Sequence, residues 1–154
     1  MTGISLYSAL AAASHYLALG IGLGGIYSRG KHLRAGELRP ALSGDNAWGI
    51  AALLWIASGL LRAFAGLEKG SAYYLQNHLF WLKMSCFALI FVLELWPMIR
   101  LIQVRIRKEE ALPGPLMQRF ATISFVQVGL LLAMVLCASL MARGYGVMAV
   151  ASAS

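Results

Sequence analysis

Four long apolar runs divide the chain: Ile4 to Tyr27, Ala47 to about Gly66, about Asn77 to Met98, and about Arg119 to Ala142. Each is close to the ~20 residues a helix needs to cross a bilayer. The pattern predicts four transmembrane helices, with spans at about 4–27, 47–66, 77–98 and 119–142. Ser43-Gly44-Asp45-Asn46 is a helix-start cluster, which predicts that Asp45 caps the second helix through its side-chain oxygen. Leu112-Pro113-Gly114-Pro115 is a breaker ahead of the fourth. No basic residue precedes the first run, which argues against a cleaved signal peptide. The small, weakly polar tail from Gly144 to Ser154 is expected to fray or lie at the membrane interface.

Charge sets the orientation. Arg29, Lys31, Arg34 and Arg39 occupy the first break, and Arg100, Arg105, Arg107, Lys108 and Arg119 the third. The second break holds Lys69, and the chain ends hold Arg143. By the positive-inside rule both basic segments are cytoplasmic and both termini outside. The expected fold is an all-α integral membrane protein: one domain, 1–154, folded as a four-transmembrane-helix up-down-up-down bundle, N-out/C-out. The expected location is the bacterial inner membrane.

Composition narrows the function classes. Hydrophobic residues make up 60% of the chain and charged residues 12%, against about 25% charged in a soluble domain. That balance excludes disordered, collagenous and disulfide-scaffold chains. The net charge of +7 is spent on the segments flanking the runs, leaving no basic face for nucleic acid. Cys86 and Cys137 lie inside apolar runs without a CxxC partner and read as small core residues.

Ionisable groups inside spans are costly and usually face the bundle interior. His15, mid-way along the first run, shares a helical face with Ser8, Ala11, Ala12 and Gly22. Three readings stand: a hydrogen bond to a neighbouring helix, a metal or haem-iron ligand, and a proton carrier. Gly20-x-x-x-Gly24 reads as a helix-packing pair. Arg62 and Lys83 fall at similar depth under the outer surface, which fits either snorkelling to headgroups or an anion clamp for carboxylates or phosphates. Glu94 lies 11 residues beyond Lys83, about 16 Å along a helix, and is expected to meet an arginine such as Arg100 or to carry protons. Tyr73, Tyr74, His78, Phe80 and Trp81 form either an interfacial aromatic belt or the roof of a pocket over Arg62 and Lys83. An aromatic roof, a cationic rim and a mid-membrane histidine suit a porphyrin better than a quinone or a lipid. There is no second in-span histidine, HExxH, Walker loop or Ser-His-Asp set.

The set His15, Asp45, Gly49, Gly59-Leu60-Leu61-Arg62, Lys69-Gly70, Tyr74, Asn77 and Phe80-Trp81-x-Lys83 resembles an uncharacterised bacterial family of four-span membrane proteins along nearly the whole chain. More remotely, the chain is similar to the membrane-embedded, non-flavin protoporphyrinogen IX oxidases, four-helix proteins that bind haem b. His15, with Gly25 ten residues on, and Trp81-Leu82-Lys83 match functional positions of that family, although Trp81 stands where the oxidases have a histidine. That resemblance implies His15 and Lys83 as catalytic residues. It also implies His15 as iron ligand, Arg62 and Lys83 as holders of propionates, and Tyr74 and Trp81 at the cofactor. Haem b, a porphyrin substrate and a quinone acceptor follow from the same resemblance, with membrane lipid around the bundle and a homo-oligomer compatible with so short a chain. The competing reading is a non-catalytic membrane subunit or assembly factor whose polar groups bond to neighbours or lipid.

Overall fold

The computed structural model describes residues 3–64 and 76–146, with side chains for 6–61 and 76–146. Four helices account for nearly all of it: α1 (Gly3–Ala35), α2 (Leu38–Phe64), α3 (His78–Arg107) and α4 (Gly114–Ala142). Among the described residues there is no strand. Leu6–Ala35, His78–Arg107 and Gly114–Ala142 have the length and hydropathy of membrane spans. The second helix is nearly as long, but Arg39, Asp45 and Asn46 sit in its first half and dilute its apolar run.

The helices run well past the apolar stretches, and local chemistry explains where they stop. The first continues through Arg29, Lys31 and Arg34 to Ala35, where Gly36 takes φ +80°. The Glu37 amide then bonds back to the His32 carbonyl at 2.9 Å, and the Gly36 amide to the Leu33 carbonyl at 3.2 Å. This is a Schellman ending, which needs a left-handed residue and so favours glycine. With the turn made at 36–37, α2 starts at Leu38, and Pro40 falls in its first turn, where a missing amide costs nothing. Asp45 therefore lies two turns inside α2 and caps nothing, contrary to the sequence expectation. At the other turn Lys108, at φ 53°, ends α3, and Pro115 sits in the first turn of α4.

The two tight connections, 36–37 and 108–113, gather the cations at one end of the bundle, called here the basic end. At the far end Asn77 caps α3, accepting from the Leu79 amide at 2.9 Å. Its Nδ2 donates to the Tyr145 carbonyl at 2.9 Å, and the His78 amide to Gly146 at 2.9 Å, so the start of α3 is clasped to the end of α4.

α1 packs against α2 and α4, and α4 against α3. α1 and α2 touch backbone to backbone at Gly25 and Gly44. A Cβ on Gly44 would lie 2.7 Å from the Arg29 amide nitrogen, and one on Gly25 2.8 Å from that of Trp48. The expected packing pair, Gly20 and Gly24, has open space where each Cβ would be. α4 buries one stripe along its whole length, Met117, Phe120, Ser124, Gln127, Leu131, Met134, Cys137 and Met141, at the three- and four-residue spacing of a bundle helix. The other helices are buried mainly toward the basic end. Neither Leu6–Leu17 of α1 nor His78–Leu89 of α3 contributes a buried residue.

Candidate functional site

Two polar constellations sit between the helices. The first is centred on Arg29, whose side chain is 0% exposed. All five of its N–H groups are used. Nε donates to Ser124 Oγ at 3.0 Å; one terminal nitrogen donates to Asp45 Oδ1 and Glu94 Oε1, both at 2.7 Å; the other donates to Glu94 Oε2 at 2.8 Å and Gln127 Oε1 at 2.9 Å. Gln127 returns a bond to Glu94 Oε2 at 2.9 Å, and Arg105 closes the second Asp45 oxygen at 2.7 Å. Two cations and two carboxylates from α1, α2 and α3 thus form one neutral cluster, completed by two polar side chains of α4. In low dielectric such charges persist only when paired and bonded, and every member here is.

Glu94 meets an arginine as expected, but the partner is Arg29 rather than Arg100, because α1 extends beyond its apolar run and carries Arg29 into the bundle. Arg100 instead holds Glu109 through two bonds, at 3.0 and 2.7 Å. A signal for Arg29 exists in the sequence: Gly22, Gly25, Ile26, Arg29 and Leu33 continue one helical face past the end of the hydrophobic run.

The second constellation surrounds His15, about 21 Å farther along α1, 14 residues at helical rise. Its ring stacks on Trp55 with centroids 5.4 Å apart and planes 22° from parallel. Nδ1 lies 3.1 Å from the Trp55 carbonyl and 3.0 Å from Ser58 Oγ. The carbonyl can only accept, so this contact is a hydrogen bond in the tautomer that carries the hydrogen on Nδ1 and the lone pair on Nε2. Ser58 Oγ in turn sits 2.7 Å from the Leu54 carbonyl, to which its hydroxyl donates. Gly59 leaves room for the ring, since a Cβ there would come within 3.2 Å of His15 Cε1. Trp55 Nε1 is buried and has no hydrogen-bond partner among the described residues, a state that costs about 1–3 kcal/mol. Toward the basic end the interior closes at a crevice between Gly22, Trp48, Ala51 and Leu131, too narrow for a water molecule.

Arg62, Lys83 and Trp81 fall at the same end of the bundle. Arg62 occupies the turn of α2 that follows Ser58; its side chain, like Tyr73 and Tyr74, lies outside the described residues. Lys83 is half-buried, with Nζ 5.5 Å from the centre of the Phe80 ring. Trp81 is 52% exposed and meets Phe80 edge-on.

An all-helical bundle held by a buried ion cluster, with long apolar helices, defines a helical membrane protein. The sequence pattern of a family described as predicted membrane protein, DUF2214, matches residues 7–146, and the chain belongs to that family. No curated protein and no solved structure matches it. The family accords with the membrane-protein resemblance read from the sequence, and no match links the chain to the protoporphyrinogen oxidases.

Proposed function

We propose that this protein binds haem b in the far half of its bundle, with His15 Nε2 as an iron ligand. The observation that carries the reading is the 3.1 Å contact between His15 Nδ1 and the Trp55 carbonyl. A histidine that ligates iron typically donates its other nitrogen to a carbonyl, which fixes the ring and raises its basicity, and Nδ1 is held in that way by Trp55. Among the described residues no group of three or more His, Cys, Asp or Glu side chains could hold a bare metal ion. A porphyrin supplies four equatorial ligands of its own, so a single histidine suffices to hold its iron. The Trp55 indole N–H, unpartnered among the described residues, and the lack of buried side chains at Leu6–Leu17 of α1 and His78–Leu89 of α3 suit a flat, partly polar guest. Arg62 and Lys83 would hold the propionates, Arg62 by a two-bond fork and Lys83 as a point charge, while Tyr74 and Trp81 would flank the ring. Haem b bound there would supply one-electron redox chemistry. The finer role, oxidation of a porphyrin substrate with a quinone as acceptor in a bacterial inner membrane, rests on the remote resemblance to the oxidases.

A second reading is favoured by the same hydrogen bonds. His15 joins α1 to α2, and that tie alone would serve a non-catalytic subunit. Protein expressed with ample haem and purified in mild detergent separates the two. A Soret band in the wild type that is absent from folded His15→Ala supports haem ligation. A colourless wild type, with His15→Ala merely less stable, makes the histidine a structural tie.

A further inference from the structure

A groove lies on the outside of the bundle near its basic end. It opens between α3 and α4, spans about 370 Å³, and is lined by Trp96, Gln118, Arg119, Thr122 and Ile123. Three of these follow from the α4 register: Arg119, Thr122 and Ile123 are spaced three and four apart and share one face. Trp96 forms the facing wall. It is 49% exposed and anchored edge-on against the buried Phe120, ring centroids 5.1 Å apart.

The polar groups at this groove divide into spent and unspent. Gln118 Nε2 donates to the Arg34 carbonyl and Thr122 Oγ1 to the Gln118 carbonyl, both at 3.0 Å. Arg119 is exposed and makes no hydrogen bond or ion pair among the described residues. Other arginines near it are engaged: Arg29 and Arg105 in the ion cluster, Arg100 with Glu109, and Arg34 with its guanidinium 4.5 Å from the Phe125 ring centre. Arg119 sits about one and a half turns from the basic end of α4, and Ile123 a turn deeper. From the surface inward the order is a cation with open donors, then an apolar wall with an interfacial tryptophan. That is the order of a phospholipid, phosphate at the interface and acyl chain toward the midplane.

We propose that this groove is a binding site for an anionic phospholipid. Arg119 holds the phosphate, and one acyl chain lies between Trp96 and Ile123. The charge of the occupant is set by the unpaired guanidinium, and its apolar part by the groove walls. A soluble phosphate would leave Trp96 and Ile123 uncovered, and a zwitterionic lipid brings its own ammonium to compete with Arg119.

Dibrominated lipids quench tryptophan on contact and test this directly. Wild type, Trp96→Phe, Arg119→Gln and Arg39→Gln are reconstituted in phosphatidylcholine containing dibrominated phosphatidylglycerol or dibrominated phosphatidylcholine. The part of the quenching that disappears in Trp96→Phe reports the groove. There phosphatidylglycerol should associate about fivefold more strongly than phosphatidylcholine, the preference expected for one cation at a membrane surface. Arg119→Gln should bring the ratio to about one, whereas Arg39→Gln, at an exposed basic-end cation that does not line the groove, should leave it unchanged. Equal quenching of wild type by the two lipids overturns the proposal. So does a preference that survives Arg119→Gln, or one lost equally in Arg39→Gln, since either assigns it to the diffuse charge of the basic end.

Discussion

Replacing Arg29 by methionine keeps the bulk of the side chain and removes all five of its donors. Interhelical hydrogen bonds in membranes average about 0.6 kcal/mol, so five amount to about 3 kcal/mol. Deleting one partner of a buried ion pair costs about 3–5 kcal/mol, mostly because the other charge is stranded. The two scales agree, and Arg29→Met should lose about 3–5 kcal/mol, a large share of a typical stability of about 5–15 kcal/mol. Geometry says where the loss falls. Asp45 keeps Arg105 at 2.7 Å, but Glu94 keeps only the Gln127 amide at 2.9 Å. Neutralising Glu94 in the same chain should relieve most of the penalty. Arg29→Met/Glu94→Gln should be about 1–3 kcal/mol more stable than the sum of the two single changes. Reversible unfolding in mixed micelles of rising sodium dodecyl sulfate fraction, followed by tryptophan fluorescence, measures all four corners of that cycle. Additivity within about 0.5 kcal/mol would refute the ion cluster as one cooperative unit.

Three further changes probe the frame. Gly44→Ala places a methyl against the α1 backbone and should cost about 1–3 kcal/mol by overpacking, while Gly24→Ala, facing open space, should be neutral or slightly stabilising in the same unfolding assay. Asn77→Ala removes both the cap of α3 and the clasp to Tyr145. It should cost about 1–2 kcal/mol and speed amide exchange at His78 and Leu79. The two bonds from Arg100 hold the Glu109 carboxyl below the usual carboxylate range, so this link is intact above about pH 4 and is lost as pH falls through the lowered value. Carbon-detected titration should show the Glu109 pKa rising in Arg100→Gln, and an unchanged value would contradict the pairing.

The helical membrane architecture was legible because it depends on the length of apolar runs, which needs no partner to interpret. The ends of the helices were less so. A run of cations after Tyr27 looks like a loop, yet lysines and arginines propagate a helix well, and the stop signal was the single Gly36. That shift moved Asp45 from a cap to the interior and brought Arg29 within reach of Glu94. The identity of the glycine contact was hidden for a related reason. Spacing alone singles out Gly20 and Gly24, whereas the close approach falls at Gly25 and Gly44, beside Arg29 and Asp45 of the ion cluster. His15 was singled out correctly as a polar group facing another helix, but its partners, the Trp55 carbonyl and Ser58 Oγ, lie 40 and 43 residues away in sequence.

The central claim, that His15 Nε2 ligates iron, is tested most directly by the visible spectrum of His15→Gly with and without added imidazole. Haem-loaded wild type should show a Soret band, His15→Gly should lose it, and imidazole diffusing into the vacated space should restore it. A wild type that purifies colourless from haem-replete cells, or a band unchanged in His15→Gly before imidazole is added, would contradict it.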